Sequence, residues 1–150
     1  MRFAKRLLFG MFALATSCTL AAFVVRKRIP AFGDESDDRF SVVAAMDGAV
    51  FASEATNLAE GSATTFMGGI ELDLMDADVG PGAYLVLRAV MGGIDVVVPS
   101  AWRVEVMGRS VMGGVANLTA PDVLSDDAPV LLIDALAVMG GIEIHAASVT

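Results

Sequence analysis

The sequence predicts an all-β fold, a short single-stranded β-solenoid of about five coils with Gly-Gly corners, preceded by one N-terminal transmembrane helix. Three observations lead there. One apolar-flanked glycine pair recurs four times, as Phe66-Met67-Gly68-Gly69-Ile70, Val90-Met91-Gly92-Gly93-Ile94, Val111-Met112-Gly113-Gly114-Val115 and Val138-Met139-Gly140-Gly141-Ile142. A repeat every 20 to 30 residues is the mark of a solenoid. Between the pairs, apolar and polar residues alternate with period two, as strands require. Finally, Leu7 to Val25 are uncharged throughout and are flanked by basic residues.

Taken in order, the first element is residues 1–28. As a helix, the nineteen uncharged residues 7–25 extend roughly 28 Å, close to the thickness of a bilayer core. Thr19-Leu20-Ala21 loosely fits a signal cleavage pattern, but the apolar run continues through Val25 and stops at Arg26-Lys27-Arg28. That flank predicts an uncleaved single-pass membrane anchor. Three basic residues on each side leave its orientation undetermined. Cys18 has no partner for an internal disulfide and reads as a lipid-facing or helix-packing residue. Residues 29–41, with Pro30, Gly33 and four acids, read as a flexible tether.

The solenoid is expected over 42–150. Met46-Asp47-Gly48-Ala49 is a degenerate first copy, and successive methionines then lie 21, 24, 21 and 27 residues apart. Strands are expected around Ile70-x-Leu72-x-Leu74, Leu85-x-Leu87-x-Ala89, Ile94-x-Val96-x-Val98, Trp102-x-Val104-x-Val106 and Ile142-x-Ile144. Val130 to Val138 is rich in β-branched residues and runs into a glycine pair, so it too reads as a strand. Apolar parity shifts by one across each pair: Met91 falls with odd positions and Ile94 with even ones. The chain therefore bends at Gly68, Gly69, Gly92, Gly93, Gly113, Gly114, Gly140 and Gly141. Stacked corners about 4.8 Å apart favour glycine both for positive φ and for close backbone approach. Opposite corners are expected at 76–82, Pro99-Ser100 and 120–129, with coils stacked in chain order.

Charge excludes several functions. Six of ten basic residues lie in the first thirty positions, leaving four arginines against all eighteen acids thereafter. Such a domain repels nucleic acid. One histidine and one cysteine cannot furnish a His/Cys zinc site. His145 stands near the C-terminus on the polar side of the last strand, with no triad signature around the serines. Asp73, Asp76 and Asp78 lack the remaining ligands of a calcium loop and read as turn and edge charges. No glycine pair is followed by Lys-Ser/Thr, so the phosphate-loop pattern is not met. The methionine column reads as core filling rather than a soft-metal site. Trp102 reads as core at a corner and as the candidate partner contact. No catalytic, cofactor or metal residue is assigned; an enzymatic reading would rest on face carboxylates such as Asp73 and Asp95.

The strings VMGGIDVVVPSAWRVEV, SVMGGVANLT and LAVMGGIEI closely resemble the C-terminal domain of the LiaF-like family, the cell wall-active antibiotic response proteins. The match covers about residues 43 to 146, with the glycine pairs, Pro99, Trp102 and the late Ala-Pro in the expected order. The resemblance implies a β-solenoid sensory or regulatory domain on a membrane segment, acting with a histidine kinase in envelope-stress signalling. LiaF itself resembles a protein of several membrane helices, whereas one span is expected here. The expected partners are thus the membrane, through residues 7–25, and a histidine kinase or other membrane signalling protein. Exposed strand edges at the coil ends provide the alternative, a structural protein that self-assembles.

Overall fold

The computed structural model describes residues 31–120 and 123–147; the span expected over 7–25 lies outside them. Among the described residues no helix is long and apolar enough to cross a membrane. The strands are β1 (Arg39–Ala45), β2 (Gly48–Ala52), β3 (Leu58–Phe66), β4 (Gly69–Asp73), β5 (Val79–Val90), β6 (Gly93–Pro99), β7 (Arg103–Val111), β8 (Gly114–Leu118), β9 (Val130–Val138) and β10 (Gly141–Ala147). Odd strands form one five-stranded sheet and even strands another. Every pairing is parallel. Each coil contributes one strand to each sheet, with a methionine-glycine corner between them.

The coils do not stack in chain order. The sheets run β1-β3-β5-β9-β7 and β2-β4-β6-β10-β8, so the fifth coil lies between the third and the fourth. Inward positions explain the choice. The fifth coil points Leu131, Ile133, Ile142 and Ile144 into the core, all buried. The fourth narrows instead: a Cβ on Gly108 would meet the Val115 side chain, so its two walls close on each other. A coil that tapers suits an end, while one with full-sized aliphatic side chains fills a middle, where each buried side chain contributes about 1.5–3 kcal/mol. At the opposite end, Phe40 and Phe51 close the interior with ring centroids 4.7 Å apart.

The segment expected to be a flexible tether is, from residue 31 onward, folded onto the first coil. Phe32 and Ser41 exchange backbone hydrogen bonds of 3.0 and 2.7 Å in an antiparallel bridge. The Asp34 N–H donates to Asp37 Oδ2 at 2.8 Å, and the Glu54 N–H donates to the Glu35 carbonyl at 2.6 Å. The four acids form and anchor a turn, which side-chain polarity alone did not reveal.

The corners divide their labour differently from expectation. Met46, Met67, Met91, Met112 and Met139 carry the positive φ, between 54° and 62°. The first glycine of each pair supplies the close approach. A Cβ at Gly68 would fall within the Asp47 carbonyl, at Gly92 within that of Gly68, at Gly140 within that of Gly92, and at Gly113 within that of Gly140. These clashes all point the same way and repeat the order 1-2-3-5-4. Asp47 heads the series, where no coil lies beneath it. The second glycine of each pair meets nothing closer than 3.8 Å. Its N–H instead donates to the neighbouring corner at 3.1–3.2 Å, so the backbone ladder continues through the bend.

Candidate functional site

With side chains alternating in and out, each sheet has an outer surface, and the corner between them forms a third. Left-handed backbone turns the methionines outward, so Met46, Met91, Met112 and Met139 are exposed rather than buried. This reverses the core-filling expectation. Beside them on the first sheet run Phe66, Val90, Val138 and Val111, in register along the stack. Two apolar rows thus make a ridge along the whole corner. Neither row contains a charge, in a domain dominated by acids.

The ridge leads to the fourth coil, whose outer side has no further strand paired to it among the described residues. Met107, Val111, Met112, Leu118 and Val123 are all exposed there, Met112 at 78%. Trp102, by contrast, is only 5% exposed and its backbone N–H donates to the Pro99 carbonyl at 3.1 Å. The sequence marked the aromatic residue, while the accessible apolar surface belongs to methionines and valines. Methionine in the left-handed region is rare enough that no sequence pattern announces it.

The first sheet's outer face carries an ion network. Arg88 Nη2 lies 2.9 Å and Arg109 Nη2 3.6 Å from the Asp134 carboxylate, and Tyr84 Oη donates to it at 3.4 Å. The hydrogen bond from Arg88 holds the Asp134 carboxyl below the usual aspartate range, against the opposing effect of burial and with help from both arginine charges.

The second sheet's outer face is acidic. Glu71, Asp95 and Glu143 stand in register on adjacent strands β4, β6 and β10. His145 lies two residues beyond Glu143 on the same side. Asp73, Asp76 and Asp78 do not come together as a group; Asp73 Oδ1 instead accepts the Met75 N–H at 2.9 Å. The bare glycine row at the corner leaves a shallow trough on this face, bordered by Val50, Glu71 and Asp95. No family model, curated protein or solved structure matches this chain.

Proposed function

We propose that the chain is a non-catalytic, membrane-tethered interaction module of the LiaF-like kind, coupling bacterial envelope stress to a membrane signalling partner such as a histidine kinase. Residues 7–25 serve as its single membrane span in this reading. The observation that carries it is the methionine ridge. Among the described residues five non-glycine residues hold a left-handed backbone at a cost of roughly 1–2 kcal/mol each, and every one is a methionine. Strain retained at aligned surface positions points to a function for the side chain. Flexible thioethers suit a surface that must repack against a partner.

The test is photo-crosslinking in intact bacterial cells, with the reactive group at Met112 and, as control, at the outward Thr64. Enrichment of one membrane protein at Met112 alone supports the proposal; equal labelling at both positions refutes it. Reporters fused after Thr150 establish which side of the membrane the partner must occupy.

The exposed fourth coil favours a second reading, self-association. Because residues 31–38 cover part of the first coil, this reading predicts closed dimers joined through the fourth coil, not open filaments. Sedimentation across concentrations distinguishes dimers from filaments.

A further inference from the structure

The geometry points to a divalent transition-metal site of the zinc class on the outer face of the second sheet, formed by Asp95, Glu143 and His145. Their ligand atoms all lie within 4.8 Å of one another. His145 Nε2 is 3.3 Å from Glu143 Oε2 and 3.9 Å from Asp95 Oδ1. Two ligands bound tetrahedrally at about 2.0–2.1 Å stand roughly 3.3–3.4 Å apart. The trio therefore needs only a small rotamer adjustment to close on an ion.

Coil order creates this constellation. Glu143 and Asp95 are partners in the β10–β6 register. Had the coils stacked in chain order, Asp95 would instead face Ala116 of the fourth coil, and β10 would lie one strand further away.

The charge pattern supplies an independent argument. Arg39, Arg88, Arg103 and Arg109 all lie on strands of the first sheet, and β2, β4, β6, β8 and β10 contain no lysine or arginine. On the first sheet Asp134 is neutralised by two arginines. On the second, Glu71, Asp95 and Glu143 repel one another across adjacent strands, and among the described residues no arginine or lysine lies on that sheet to offset them. A bound cation removes that repulsion.

The donor set selects the ion. Calcium and magnesium prefer oxygen alone, whereas one imidazole nitrogen with two carboxylates suits zinc and its first-row neighbours. Three protein ligands leave a fourth position facing solvent. The site is separate from the methionine ridge and does not depend on the proposed function.

The experiment titrates the full-length chain with Zn²⁺ against a chromophoric chelator. Wild type is expected to bind one ion that a tenfold excess of Ca²⁺ or Mg²⁺ does not displace. His145→Ala and Asp95→Asn should each weaken binding at least tenfold. Asp73→Asn, which removes an equal charge from the same face outside the trio, should change it less than twofold. Cobalt substitution should give visible absorption that His145→Ala abolishes. The proposal is overturned if His145→Ala binds zinc as wild type does. It is equally overturned if Asp73→Asn costs as much as Asp95→Asn, which is diffuse screening, or if Ca²⁺ competes on equal terms. Thermal melting of the metal-free variants, all altered at outward side chains, verifies that they fold.

Discussion

Gly92 and Gly93 are adjacent and chemically identical, yet the fold demands glycine only at the first. A methyl group at Gly92 falls within the Gly68 carbonyl, whereas Gly93 has 3.8 Å of clearance. Gly92→Ala is therefore expected to cost about 3 kcal/mol, and Gly93→Ala less than about 1 kcal/mol, measured by denaturant unfolding. Thr65 offers a test of opposite sign. Its hydroxyl is buried with no hydrogen-bond partner among the described residues, between Ala44 and Ala89 on the neighbouring strands. Thr65→Val keeps the shape and should stabilise by roughly 1 kcal/mol. The glycine pair was legible in the sequence because it recurs. Which member touches the next coil was not, since both look alike until the backbone is placed. His145 was legible only as a lone polar residue, because its carboxylate partner Asp95 comes from a strand 50 positions earlier.

Strands were the most legible elements, because alternation has one period and the parity shift at each glycine pair marks where one strand ends and the next begins. The 31–38 turn was not: Asp37 Oδ2 closes it, but the bonds that Phe32 and Glu35 make to the first coil run through backbone groups, which side-chain pattern does not report. The outer elements make two predictions. Asp134 on β9 has a lowered pKa through Arg88 and Arg109. Its contribution is thus present in full above the unfolded aspartate pKa of about 3.9 and lost as pH falls through the lower folded value. Asp134→Asn should destabilise by up to about 1 kcal/mol at pH 7, and the gap from wild type should vanish in strong acid. At the corner, asparagine tolerates the left-handed region better than methionine. Met91→Asn should keep or raise the melting temperature while weakening partner capture in the crosslinking assay; unchanged capture from a ridge with all five methionines replaced argues against the ridge as a docking surface.

For the whole molecule, composition and repeats sufficed for an all-β stack of five coils, but not for its order. All four complete corners carry the same motif, so any coil can follow any other without changing the local hydrogen bonds. Side-chain volume at matched positions distinguishes them: Leu131, Ile133, Ala135 and Ile142 of the fifth coil stand against Val104, Val106, Gly108 and Val115 of the fourth. Deletion reads out the difference. In a stack built in chain order, a protein ending at residue 120 loses one terminal coil and keeps the remainder, as repeat proteins do. Here the same truncation removes the layer joining the third coil to the fourth. Loss of cooperative unfolding, followed by circular dichroism, is expected; retention of most strand signal with a sharp transition contradicts the order 1-2-3-5-4.

That order also bears on biosynthesis. A repeat stack can ordinarily consolidate from its first unit while later units are still being translated. In this chain β9 and β10, which lie between the third and the fourth coils, are translated after the fourth coil. The fourth coil must stay apart from the third, or release it again, until residues 130–147 have emerged. Completion of the fold is thereby tied to translation through β10, and a nascent chain arrested before residue 130 has no native partner for the edges of β5 and β6 that β9 and β10 cover.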